Sequence, residues 1–174
     1  IVNLLLQYNA NLNIKGICGY SLMHFTILYC NSSNAIKVIK LLLDHGANIN
    51  TKDYYGCNLL HNAISHYEFN NLIELIKLLL DHNININAKT DKGYTSLFIA
   101  VQLYRWDVTI NIIKLLLKYG ADINIKVNGK TALKIIKDIS DYHKVSYDIT
   151  DRFHPNNYPR ISQMISLLEH PYEI

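Results

Sequence analysis

Eight histidines, three cysteines and two evenly spaced rows of lysines are the residues of this chain whose types could do chemistry. Histidine and cysteine make metal sites or nucleophile-base pairs only when several converge. Here Cys18, Cys30 and Cys57 are odd in number and lack C-x-x-C spacing. Neither a disulfide framework nor a zinc site is expected, and a reducing intracellular compartment is. No H-E-x-x-H, nucleotide-binding glycine loop or G-x-S-x-G occurs. The expectation is a non-enzyme with no cofactor, no metal and no small-molecule substrate. The lysines are more regular: Lys15, Lys52, Lys89 and Lys126 stand 37 residues apart, and Lys40, Lys77 and Lys114 form a second row at the same interval. Such rows can track a phosphate backbone or an acidic protein, or simply keep each unit soluble. A net charge of +3 and a pI of 8.7 are too mild to favour nucleic acid, which stays the lesser alternative.

The elements that must position these rows repeat at the same interval. The segment V-I-K-L-L-L-D-H-G-A-N-I-N from Val38 has near copies from Val2, Leu75 and Ile112, and Leu6, Leu43, Leu80 and Leu117 are each 37 residues apart. Self-similarity at a period of about 20 to 50 residues marks a stacked solenoid. Each copy ends in Asn9, Gly46, Asn83 or Gly120, residues that enter the left-handed conformation cheaply and so read as helix C-caps. A short polar turn follows, closed by Gly19, Gly56, Gly93 or Gly129. Two residues later Ser21, Asn58, Thr95 or Thr131 can N-cap the next helix.

Those helices read L-M-H-F-T-I, L-L-H-N-A-I, S-L-F-I-A-V and A-L-K-I-I-K. With Gly56, Asn58, Leu60, His61 and Ala63 followed by Leu78, Leu79 and Leu80, the chain resembles the ankyrin repeat family over residues 1 to about 140. Its long period resembles the ankyrin proteins of large DNA viruses and intracellular pathogens, and the abundance of Asn, Ile, Lys and Tyr resembles coding by an AT-rich genome. The fold class implied is an all-α solenoid of stacked helix-turn-helix units with projecting β-turn or hairpin fingers. The expected divisions are a partial repeat at 1–15, repeats at 16–52, 53–89 and 90–126, and a degenerate capping repeat at 127–174 with a long loop at 141–160. The consensus proline is replaced by Leu22, Leu59, Ser96 and Ala132. The consensus histidine, whose ring ties helix to turn in the family, survives as His24 and His61. The third and fourth repeats are therefore expected to be weaker.

By the same resemblance, function is non-catalytic protein-protein recognition through the fingers and the exposed face of each first helix. On the fingers that face comprises Tyr20, Tyr54, Tyr55, Cys57, Asp91, Lys92, Tyr94 and Lys130; on the first helices, Tyr29, Ser65, His66 and Gln102; beside the turns, Lys15, Lys52, Lys89 and Lys126. The partner is a protein, with a host factor among the candidates, and a structural spacer in a longer chain is a further alternative. Four extra residues per repeat fall between the helices, and their aromatics Tyr67, Phe69, Tyr104 and Trp106 are expected to pack over helix ends, Trp106 excepted. The chain opens on Ile1 inside a helix pattern, which reads as a fragment. Composition, 49% hydrophobic and 18% charged, is that of a folded protein, and no apolar run nears the length of a membrane span. A soluble, monomeric, cytoplasmic or nuclear protein is expected.

Overall fold

The computed structural model describes residue 8 and residues 10–29, 32–66, 71–103, 108–145 and 157–172. Among them are a 3-10 turn, Ile17–Gly19, and eight α-helices: α1 Leu22–Tyr29, α2 Ser32–Asp44, α3 Leu59–Ser65, α4 Leu72–Asp81, α5 Ser96–Gln102, α6 Val108–Lys118, α7 Ala132–Val145 and α8 Asn157–Glu169. No strands form among the described residues. The helices pair as α1 with α2, α3 with α4, α5 with α6 and α7 with α8. The odd-numbered helices pack on one another in an inner row, and the even-numbered ones in an outer row.

The 37-residue period explains why the layers fit. Ile39, Ile76 and Ile113 occupy one position in successive outer helices, and Leu42, Leu79 and Leu116 another one turn later; all six are fully buried. Identical side chains one period apart make identical layers, and each buried aliphatic contributes about 1.5–3 kcal/mol of transfer free energy. On α8, Ile161, Met164 and Leu168 continue the column.

The expected helix ends hold. Gly46, Asn83 and Gly120 all have positive φ. At each, the following N–H reaches back to a helix carbonyl: Ala47 to Leu42 at 3.0 Å, Ile84 to Leu79 at 3.3 Å and Ala121 to Leu116 at 3.0 Å. This is the Schellman geometry, which satisfies the last carbonyls of the helix. Asn58 accepts from the N–H groups of Leu60 and His61, Thr95 from Phe98 and Thr131 from Lys134. Ser21 accepts from His24 N–H at 3.4 Å.

The polar span expected at 141–160 is shorter at both ends. Helix α7 runs on to Val145 and α8 starts at Asn157. Apolar periodicity lapses there, but Lys134 and Asp138 form an i,i+4 pair at 2.9 Å that supports a polar helix face. Pro159 falls in the first turn of α8, where its missing N–H is not needed. The Asn9 cap, most of the first helix, and Cys30, Tyr67, Phe69, Tyr104 and Trp106 lie outside the described residues.

Candidate interaction surface

Between an outer helix and the next inner helix the chain projects as a finger: residues 10–20, 47–57, 84–94 and 121–130. Each finger starts with two asparagine-type residues, and they divide the work. Asn11, Asn48, Asn85 and Asp122 accept through Oδ1 from the N–H two residues on, at 2.8–3.1 Å, which shapes the turn. Asn13, Asn50 and Asn87 reach the neighbouring finger instead: their Oδ1 atoms accept from the N–H groups of Asn48, Asn85 and Asp122 at 2.8, 2.8 and 2.9 Å. A ladder of side-chain carbonyls thus satisfies main-chain donors that a loop would otherwise leave to water.

Two of the turn lysines belong to the same bracing. Lys15 donates to the carbonyl of Lys52 at 2.8 Å, and Lys52 to that of Lys89 at 2.9 Å. Finger tips are also joined by main chain, Tyr54 N–H to Cys18 C=O at 2.9 Å and Asp91 N–H to Tyr55 C=O at 3.0 Å. Buried Asp53 shapes the second tip, accepting from Tyr55 and Cys57 N–H at 2.9 Å each. The tips pack closely: a Cβ on Gly19 would stand 2.4 Å from the Tyr54 ring, and its φ of +74° admits little but glycine.

The two histidines close the layers. His61 Nδ1 accepts from Asn58 N–H at 3.1 Å while its Nε2–H donates to the Tyr94 carbonyl of the next finger at 3.2 Å. His24 likewise takes the Ser21 N–H at 3.2 Å and gives Nε2–H to the Cys57 carbonyl at 3.3 Å. Both rings are therefore neutral. Burial lowers the pKa of His61 to about 4 and that of His24 in the same direction, against the opposing pull of the carbonyl bonds. Burial also pushes the Cys57 thiol up to about 11, helped by Asp53 and Asp91, so it is a poor nucleophile. Cys18 and Cys57 are both free, and among the described residues no three His, Cys, Asp or Glu gather as a metal site requires.

The site residues expected from sequence spread along this row of fingers and inner helices. Tyr54 and Tyr55 stand at the second tip, 68% and 63% exposed, and Tyr29 ends α1 at 73%. Tyr20, Cys57 and Tyr94 are half-buried at the finger bases. Asp91, Lys92 and Lys130 are exposed on the third and fourth fingers, and Ser65, His66 and Gln102 at the ends of inner helices. Lys15, Lys89 and Lys126 are exposed and Lys52 is half-buried. The structure brings the first-layer aromatics together: Tyr20 stacks on His24 at 5.7 Å, meets Phe25 edge-on at 5.6 Å, and Phe25 stacks on Tyr29 at 5.8 Å. Tyr94 and Phe98 form a second such pair at 5.4 Å. Phe25 and Phe98 were not expected there; a helical aromatic four or five residues after a finger-base tyrosine was the available signal.

The family model described as ankyrin repeats, in three copies, matches residues 1–90 and 68–136, well over half of the sequence. The chain belongs to the ankyrin repeat family. Ankyrin repeats are generally protein-protein interaction modules and generally non-catalytic, and the fingers and inner helices described above are this chain's version of the repeat's exposed side. No curated protein matches the chain. Ankyrin stacking here rests on asparagine, lysine and histidine bonds that reach from one unit to the next. The asparagines escaped sequence reading because A-N-x-N looks like an ordinary polar turn until its partner 35 residues away is seen. No helix among the described residues is long and apolar enough to cross a membrane.

Proposed function

We propose that this chain is a non-catalytic recognition module that binds a partner protein through the fingers and the exposed faces of α1, α3, α5 and α7. The observation carrying this reading is the pair of exposed tyrosines at a braced finger tip, Tyr54 and Tyr55, with Tyr29 exposed at the end of the first inner helix. Tyr29, Tyr54 and Tyr55, with the Tyr20–Phe25 pair at their base, are large, stiff side chains with a polar tip. Tyr54 and Tyr55 stand on a turn whose backbone is fixed by the asparagine and lysine bonds, so little ordering entropy is lost when a partner docks. The unpaired Cys18 and Cys57 thiols support action in a reducing intracellular compartment.

The test is affinity capture from a nuclease-treated lysate with the chain, a quadruple variant Tyr20→Ala, Tyr29→Ala, Tyr54→Ala, Tyr55→Ala, and a control Lys40→Ala, Lys77→Ala, Lys114→Ala on the outer helices. Proteins retained by the chain and the control but lost by the tyrosine variant are expected. Retention of the same proteins by all three refutes the assignment of the face.

A further inference from the structure

The recognition row changes character along its length. At equivalent positions the finger tips read Ile17-Cys18, then Tyr54-Tyr55, then Asp91-Lys92, and one inner-helix position reads Leu28, Ser65 and Gln102. The apolar and aromatic side chains gather in the first two units. Charge is scarce there: across 10–29 and 47–66 the charged side chains are Lys15, Lys52 and Asp53. All three are engaged by main chain, the lysines with carbonyls and buried Asp53 with two N–H groups. His24 and His61 are neutral, and His66 lies at the end of α3. The third tip, which borders this region, carries Asp91 and Lys92, of opposite sign.

Within that neutral region the rings are contiguous. Tyr20, Phe25 and Tyr29 form a row with centroids 5.6 and 5.8 Å apart. The turn 16–20 lies against it, since a Cβ on Gly16 would be 3.3 Å from the Phe25 ring, and Ile17 in that turn is 82% exposed. The second tip adjoins through the Tyr54 ring, which packs on Gly19. It adjoins through Tyr55 as well. Burial first, then Asp53, Cys18, Tyr29 and Tyr55, raise the pKa of Tyr20, so the Tyr29 and Tyr55 hydroxyls lie within electrostatic reach of it and Tyr20 stays a neutral donor. The hydroxyls of Tyr20, Tyr29, Tyr54 and Tyr55 make no hydrogen bond among the described residues.

We infer that this end of the row receives an uncharged, proline-rich extended segment of the partner protein, its pyrrolidine rings on the aromatic faces and its carbonyls accepting from the tyrosine hydroxyls. The inference rests on the reading of the finger row as a protein-binding face and names the chemistry of what binds there. An added strand would need a sheet edge, and no strand forms among the described residues. An apolar helix face would cover the four hydroxyls with aliphatic carbon and leave them without partners. A polyproline segment has flat apolar rings, carbonyls with no internal bond and few N–H groups to satisfy, and it is ordered before it binds. A charged segment would meet no free opposite charge on these two units.

The test titrates the whole chain, labelled with 15N, with a capped peptide of about nine residues in which Pro-Pro-Leu repeats, and with a capped peptide in which alanine replaces each proline. The proline peptide is expected to shift the Gly19, Tyr29 and Tyr55 amides, and its affinity should change less than about twofold between roughly 50 and 500 mM sodium chloride. Tyr29→Ala, Tyr55→Ala should weaken it roughly tenfold and Tyr29→Phe, Tyr55→Phe, which keeps the rings but not the hydroxyls, roughly threefold. Lys40→Ala, Lys77→Ala on the outer helices should stay within about twofold of the parent. Equal or tighter binding of the alanine peptide overturns the inference, as does unchanged affinity in the Tyr→Ala variant, verified as folded by circular dichroism. Shifts of the same amides with protein concentration alone also overturn it, by placing a second copy of the chain there. If the proline peptide does not bind while lysate capture still depends on the tyrosines, this inference falls and the recognition reading stands.

Discussion

Mild acid should loosen this stack through two particular rings. His61 is buried, its pKa is lowered to about 4, and its neutral form both caps α3 and bonds the Tyr94 carbonyl. In the unfolded chain the same ring titrates near 6.5. The folded pKa lies below the unfolded one, so between pH 6.5 and 4 the unfolded state binds more protons. Stability is complete above 6.5 and falls as pH drops. At pH 5 the loss from His61 alone is about 2 kcal/mol, and it approaches ~3 kcal/mol near pH 4. His24, shifted the same way by burial, adds to it. Asp138 and Glu169 are held below the usual carboxylate range by hydrogen bonds from Lys130 and Lys134 and from Lys137, so their contributions are lost only at lower pH. The window from pH 7 to 5 therefore isolates the histidines. The assay is urea unfolding followed by far-ultraviolet circular dichroism at pH 7.5, 6.5, 5.5 and 5.0 for the parent and for His61→Phe, since Phe98 fills the equivalent site in the next layer. The variant should start less stable but show a clearly flatter pH dependence. An identical slope in parent and variant would refute the assignment of the effect to His61.

Three further outcomes follow from the backbone and the ladders. Gly120→Val should cost about 1–2 kcal/mol in thermal melts, because its φ of +85° resists a β-branched residue although space is open, while Asn83→Gly should change little. Gly56→Ala should cost more than Gly120→Ala, since its new methyl meets both a φ of +73° and the Asp91 main chain at 2.8 Å. Asn87→Ala should cost about 1 kcal/mol and raise amide hydrogen exchange selectively in the fourth finger, whereas Asn50→Ala, whose junction keeps other bonds, should leave the third finger protected.

Much of this architecture was legible because it is local or periodic. The cap glycines, the N-cap Ser21, Asn58, Thr95 and Thr131, and the leucine columns declare themselves by residue type at a fixed phase. The lysine rows were equally visible, but what Lys15 and Lys52 bond is a main-chain carbonyl one unit away, and carbonyls carry no letter in a sequence. For the same reason Asn13, Asn50 and Asn87 could be recognised as turn residues but not as rungs. The ends of α7 and α8 were misjudged where polar side chains sustain the helix, through Lys134 with Asp138, and where Pro159 opens one. Loss of the histidine at Phe98 and Lys134 is plain in the sequence, but that one hydrogen bond then joins the third and fourth fingers among the described residues is visible only in three dimensions.

The asparagine rungs also bear on how such a chain can change length. Every cut through the ladder leaves the same two half-bonds, a side-chain carbonyl on one edge and a main-chain N–H on the other, offset by 35 residues at each of three junctions. Excising or duplicating 37 residues within the first three units rejoins matching halves of the rung. The ladder is thus indifferent to how many units the chain holds: a whole cassette can be gained or lost with every remaining rung still made, while the histidine and lysine bonds, which differ from junction to junction, set which cassettes suit one another.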